Sequence, residues 1–133
     1  MDNFGSCTSD FLHFSCIYGH ALEHFVVQEL RAFVSYTLGE DKILSYWRTL
    51  DNKYEVDVMI CDALTHHVEI AIEVKSADHV ASNDTKGLKA FSEEHPDAIL
   101  ILLSMEERPR MLNGIEVWPV TQFLQRLWDR KWL

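Results

Sequence analysis

Residues 98–104 form a nearly unbroken apolar run, and that run constrains the fold more than any other part of the chain. A strand that is apolar on both faces must be covered on both, and a strand of this kind is usually reached by a crossover helix. The residues before it supply one: Asn83 or Asp84 can cap a helix that runs through Leu88 and Phe91 to about Glu94, and Pro96 stops it. Parallel pairing between residues 98–104 and the strand preceding the helix follows. Upstream, residues 43–49, 54–61 and 67–76 have strand character and are separated by polar turns at 50–53 and 62–66, the pattern of an antiparallel meander.

A first helix is expected from Gly19 onward, because Leu22, Phe25, Val26, Leu30 and Phe33 recur at helical spacing and Gly39 is placed to end the segment. Residues 1–18 show no clean period and read as an irregular lead-in. After a loop carrying Glu106, Glu107, Arg108, Pro109 and Arg110, a short segment at 115–118 leads into Pro119, which suits the first turn of a closing helix. Phe123, Leu124, Leu127 and Trp128 are expected to supply the buried stripe of that helix. No internal repeat or linker divides the chain, and 133 residues at 47% hydrophobic suit one domain over residues 19–133. The fold class is therefore α/β, with a mixed central sheet flanked by helices, in the order αβββαβ followed by a short strand and a closing C-terminal helix.

Composition excludes several functions. The apolar run is far shorter than the roughly 20 residues a membrane-spanning helix needs. The N-terminus lacks a basic start followed by an apolar stretch, so it does not read as a secretory signal, and a cytoplasmic location is expected. Three scattered cysteines, Cys7, Cys16 and Cys61, argue against a disulfide framework and against a zinc knuckle. With 21 acidic against 12 basic residues the formal charge is -9, which opposes non-specific binding to nucleic acid. Any DNA contact must be local or metal-assisted.

The chemically suggestive feature lies in the meander. Along a strand, alternate side chains share a face. Tyr54, Val56, Val58 and Ile60 are apolar, whereas Glu55 and Asp57 lie with Met59 and Cys61; in the next strand Val68, Ile70, Ile72 and Val74 oppose a row of Glu69, Ala71, Glu73 and Lys75. A turn centred near Thr65 puts Asp57 opposite Glu73, with Cβ atoms roughly 4.5 to 5.5 Å apart. Two ionised carboxylates so placed repel unless a proton, a cation or water intervenes. Magnesium prefers carboxylate oxygens at about 2.0 to 2.1 Å and keeps several waters, so two acids plus phosphate oxygens can hold it. Lys75 would stand beside it, stabilising developing charge and orienting an attacking water. A hairpin with one core face and one wet face shows the same pattern without chemistry.

Asp57 on the second strand and Glu73-Val74-Lys75 on the third, in an αβββαβ order, resemble the PD-(D/E)XK nuclease superfamily, the restriction-endonuclease-like fold. More narrowly, Tyr18-Gly19-His20-Ala21-Leu22-Glu23-His24-Phe25, Tyr46-Trp47-Arg48-Thr49, Glu55-Val56-Asp57, Ile72-Glu73-Val74-Lys75 and Lys86-Gly87-Leu88-Lys89-Ala90-Phe91 resemble the C-terminal domain of bacterial and archaeal predicted P-loop (AAA+-type) ATPases. The similarity extends through Arg108-Pro109-Arg110 and Gly114-Ile115-Glu116-Val117 to the last helix. It implies a magnesium- or manganese-dependent phosphodiesterase acting on DNA, with Asp57 and Glu73 as metal ligands, Lys75 as catalytic lysine and Glu23, from the first helix, as an auxiliary acid. Glu29 is a second candidate for that acid. Val56 stands where the superfamily pattern has proline. A non-catalytic interaction or DNA-docking module that keeps the fold is the alternative. The chain has no Gly-x-x-x-x-Gly-Lys-Ser/Thr loop, so any ATPase belongs to another segment or partner.

Arg48, Lys86 and Lys89, with Lys75, could form a basic rim for a phosphate backbone, although such lysines more often solvate a helix face. His20 and His24, at i and i+4, could share a metal, but no third ligand completes a tetrahedral set, and His66 and His67 fall in a turn; surface histidines are the simpler expectation. Trp118, Trp128 and Trp132 could form a partner-binding patch, but large aromatics at helical spacing usually fill a core, with Trp132 the one expected to be exposed. No serine-histidine-acid or reactive-cysteine arrangement supports acyl transfer.

Overall fold

The β-branched and aliphatic runs form one mixed six-stranded sheet, helices cover both of its faces, and the architecture is α/β. The computed structural model describes residues 7–130, with side chains from residue 19. Helix α1 (Cys7–Phe33) passes through a π-helical turn (Val34–Leu38) and a 3-10 turn (Gly39–Asp41) into β1 (Lys42–Arg48). Strands β2 (Glu55–Asp62) and β3 (Val68–Val74) complete the meander. A 3-10 turn (Ser82–Thr85), α2 (Lys86–Glu94) and β4 (Ile99–Ser104) follow, then β5 (Arg110–Leu112), β6 (Ile115–Pro119) and α3 (Val120–Trp128). The strand order is β1-β2-β3-β4-β6-β5.

The central expectation holds: β4 runs parallel to β3, with Ile70 beside Ile99 and Val74 beside Leu103, and α2 makes the crossover. Ile101, Leu102 and Leu103 are fully buried, as a strand covered on both faces requires. On one face Val26, Leu30 and Phe33 of α1 and Phe123, Leu124 and Leu127 of α3 pack on Val58, Ile60, Ile70 and Ile72. On the other, Leu88 and Phe91 of α2 pack on Val56, Met59, Cys61, Ala71, Leu102 and Val117. The row of Met59, Cys61 and Ala71 is therefore core, and neither face of the hairpin is broadly wet.

Several expectations need correction. The first helix begins at Cys7, not Gly19, because residues 7–18 contain no proline and one interior glycine costs only about 1 kcal/mol. Phe25 is 49% exposed and Trp128 42%, so neither belongs to the buried stripe expected of it. Trp128 instead packs edge-on against Phe33, ring centroids 5.2 Å apart, and donates its indole N–H to Glu29. Trp132 lies outside the described residues. The loop after β4 contains β5, which pairs antiparallel with β6 through a tight turn at Asn113 (φ 53°) and Gly114 (φ 81°). Two successive positive φ values are the signature of a type I′ hairpin, and Asn-Gly is its commonest sequence.

The segment after β3 is tied down by a partly buried clamp. The Glu106 carboxylate takes a bidentate pair of bonds from Arg110 at 2.8 and 2.9 Å and accepts the Val80 N–H at 2.7 Å, while Arg110 donates to the Val80 carbonyl. The Arg110 guanidinium holds Glu106 down to about 2, well below the usual carboxylate range. Among the described residues no helix is long and apolar enough to cross a membrane.

Candidate functional site

The site begins with an irregularity in β2. Ser45 pairs with Met59 and Trp47 with Val56, so a single β1 residue, Tyr46, faces two β2 residues, Asp57 and Val58. One extra residue breaks the alternation: Val56 packs with Met59 on the α2 side, although spacing alone puts it with Val58 and Ile60. Bulges of this kind re-aim a side chain, and here the re-aimed residue is Asp57. Its Oδ2 accepts the Val74 N–H at 2.7 Å, bracing the carboxylate across the β2–β3 pair. The β2–β3 register ends at Val58 beside Ile72, one residue short of Asp57 and Glu73.

Glu73 is nearly enclosed. Its Oε2 lies 3.0 Å from Lys75 Nζ, and its Oε1 is buried without a hydrogen-bond partner. A buried acceptor left unmade costs about 1 to 3 kcal/mol, more if charged, so this atom is placed at the expense of stability. Gly87, the second residue of α2, makes the enclosure possible. A Cβ there would lie 2.7 Å from the Glu55 carbonyl oxygen and 3.0 Å from Glu73 Oε1. The start of α2 thus touches both acid-bearing strands.

Burial dominates the electrostatics. It pushes the Asp57 carboxyl up to about 7, with Glu23, Glu73 and Glu55 adding repulsion against the lowering effect of the Val74 N–H. Burial also raises Glu73, and Lys75 only partly offsets it. For Lys75, burial works against the ammonium, but Glu73 outweighs it and the pKa is raised, so the side chain stays protonated at neutral pH. The cluster holds more carboxylates than cations, which is the condition under which a divalent ion is welcome.

Two clefts open here and share Glu55. One, of about 250 Å³, is lined by Glu23, Tyr46, Trp47, Arg48, Val56 and Asp57. The other, of about 370 Å³, includes Lys53, Tyr54, Glu73, Lys75, Asp84 and Lys86. Glu23 therefore reaches the site from α1, whereas Glu29 is engaged by Trp128 away from it. Arg48 lies on the rim but is paired with Glu55 at 3.1 Å. Lys86 lines the second cleft; Lys89 is exposed on α2 and lines neither. His20, His24, His66 and His67 are all exposed. Among the described residues no group of three or more His, Cys, Asp or Glu is arranged to hold a metal, and Asp57 lines one cleft while Glu73 and Lys75 line the other. Sequence reasoning did not single out Glu55, Gly87, Tyr46, Lys53 or Tyr54 as parts of it. Glu55 carried a signal, standing two residues before Asp57; the close approach at Gly87 is tertiary and left none.

No curated protein and no solved structure matches the chain. A family model does match, over residues 18–123, and the chain accordingly belongs to the family described as a domain of unknown function (DUF4143).

Proposed function

We propose that this domain is a magnesium-dependent phosphodiesterase of the nuclease type, acting on DNA. The observation that carries the reading is the unpartnered, buried Oε1 of Glu73 beside a protonated Lys75, with the Asp57 carboxyl raised by burial on the adjoining strand. The donor set fits the ion: two carboxylates leave room for the waters and phosphate oxygens that magnesium keeps. Asp57 and Glu73 would hold it, and a bound divalent ion supplies Lewis-acid polarisation of a phosphate oxygen. Lys75 carries a fixed positive charge where negative charge develops and donates hydrogen bonds that orient the attacking water. The Val74 N–H fixes one Asp57 oxygen. Glu23 lines the same cleft as an auxiliary acid.

The PD-(D/E)XK resemblance of Asp57 and Glu73-Val74-Lys75 supports the reading, and the wider sequence resemblance supports association with a P-loop ATPase supplied by another segment or subunit. Calorimetric titration of magnesium and manganese into the wild type and Asp57→Ala, followed by nicking assays on supercoiled, branched and single-stranded DNA, tests it. Metal binding lost in Asp57→Ala, and turnover lost with metal binding retained in Lys75→Ala, are the expected results. Cleavage by Lys75→Ala at the wild-type rate would refute the lysine's role. One observation favours a second reading, a non-catalytic docking module: Asp57 lines one cleft and Glu73 the other, and no group of three or more His, Cys, Asp or Glu gathers to hold a metal among the described residues. Absence of both metal binding and nicking selects that reading.

A further inference from the structure

Two aromatic residues flank the β1–β2 connection, Tyr46 on β1 and Tyr54 just before β2, each next to a cation, and one stands at each cleft. Tyr46, 67% exposed, has the Arg48 guanidinium 6.0 Å from its ring centroid, and both residues line the cleft that contains Asp57. Tyr54 has the Lys53 ammonium 5.3 Å from its ring centroid, and both line the cleft that contains Glu73 and Lys75. Glu55, common to both clefts, lies between them. The turn that presents Tyr54 is held by its own hydrogen bonds: Thr49 Oγ1 accepts the N–H groups of Lys53 and Tyr54, Asp51 accepts from Thr49 and Lys53, and Asn52 takes φ 59°. Tyr54 is thus half-buried on a fixed backbone and Tyr46 stands exposed on the strand, each bordering a cleft where a planar group can stack.

We propose that Tyr46 with Arg48 and Tyr54 with Lys53 are base-stacking and phosphate-pairing elements flanking the acid cluster, so that the segment the site takes is single-stranded nucleic acid. The inference rests on the hydrolase reading for the position of the phosphodiester, which would lie between the two elements. Three observations choose a single strand over a duplex. The base faces of a duplex are covered by neighbouring bases, whereas a single strand offers them to an aromatic ring. A duplex grip needs many phosphate-neutralising cations, and this chain has a formal charge of -9. The cations on the two clefts are few: Arg48, Lys53, Lys75 and Lys86, of which Arg48 and Lys75 already pair with Glu55 and Glu73. Affinity must come largely from stacking.

The test is fluorescence anisotropy on the full chain with labelled oligothymidylate, oligouridylate and a duplex, in EDTA and again in calcium. Single strands are expected to bind more tightly than the duplex in at least one condition. Tyr46→Ala and Tyr54→Ala should each weaken single-strand binding by about tenfold, with phenylalanine at either position restoring it. The slope of log affinity against log salt should be shallow, about -1.4, corresponding to roughly two phosphate contacts. Circular dichroism confirms that each variant is folded. Duplex binding as tight as single-strand binding, alanine variants that bind like wild type, heparin competing as well as oligothymidylate, or no binding in either condition would overturn the inference. Cleavage in magnesium is scored separately. Single-strand binding without cleavage removes the hydrolase reading alone, whereas cleavage of duplex without single-strand preference removes the stacking proposal alone.

Discussion

Replacing Asp57 by asparagine should make the metal-free protein more stable, and should do so only above acid pH. Burial moves the Asp57 carboxyl from 3.8 to about 7 in the folded state, so the fold holds that proton about 3 pH units longer than the unfolded chain does. Between pH 4 and 7 the native state therefore binds more protons, and the contribution of Asp57 to stability falls as pH rises through that window. At 1.36 kcal/mol per unit the ceiling is about 4 kcal/mol, and partial solvation of the carboxylate reduces the expectation to about 2 to 3 kcal/mol. Asparagine keeps an oxygen that can accept the Val74 N–H but carries no charge to desolvate. Urea unfolding in EDTA, followed by circular dichroism from pH 4 to 8, measures the difference. The two proteins should be nearly equal at pH 4 and diverge by pH 8, the variant being more stable. Magnesium at a hundredfold excess over its Kd should then return about 2.7 kcal/mol to the wild type and much less to the variant. A variant less stable than wild type at pH 8, or a difference independent of pH, would refute the account of a carboxylate held in a site unfavourable to its charge.

Other substitutions probe the supporting structure. Gly87→Ala should destabilise the fold by about 1 to 3 kcal/mol in chemical unfolding despite alanine's better helix propensity, because the added methyl meets the Glu55 carbonyl at 2.7 Å, and it should weaken metal binding by displacing Glu73. Arg110→Ala should cost about 1 to 3 kcal/mol, since it leaves the partly buried Glu106 carboxylate without its guanidinium. Glu106 is held below its ordinary value, so its stabilisation is present above about pH 4.5 and is lost as pH falls towards 2; the acid-unfolding midpoint of Arg110→Ala should therefore move to higher pH. Phe91→Ala should cost about 3 to 5 kcal/mol, as it removes a fully buried ring that Trp47 meets edge-on.

Local pattern recovered most of the architecture. The apolar run at 98–104, Pro96 before it and the two alternating strands before α2 are local signals, and each strand lies within a residue or two of its expected place. The hairpin β5–β6 carried an equally strong signal in Asn113-Gly114, which a reading of residues 106–110 as loop passed over. The bulge in β2 left no trace, because Val56, Asp57 and Val58 alternate perfectly on paper. Only the pairing with β1 shows that two of them face Tyr46. The cover over Met59 and Ala71 was equally hidden, since residues with no polar atoms to satisfy suit a core or a modest wet face. Asp57, Glu73, Lys75 and Glu23 could be named from spacing and resemblance, but Oε1 of Glu73 and the contact at Gly87 depend on where α2 lands.

The surplus residue in β2 has an evolutionary corollary. Removing one position at 57 or 58 would let β1 and β2 pair without interruption. The acid would then be lost from the cleft or turned away from it. Insertions and deletions are commonly tolerated in loops and selected against in strands, yet here a strand tolerates one that serves the cleft and not the ladder. The length of this one strand is therefore tied to the cleft and not to the ladder.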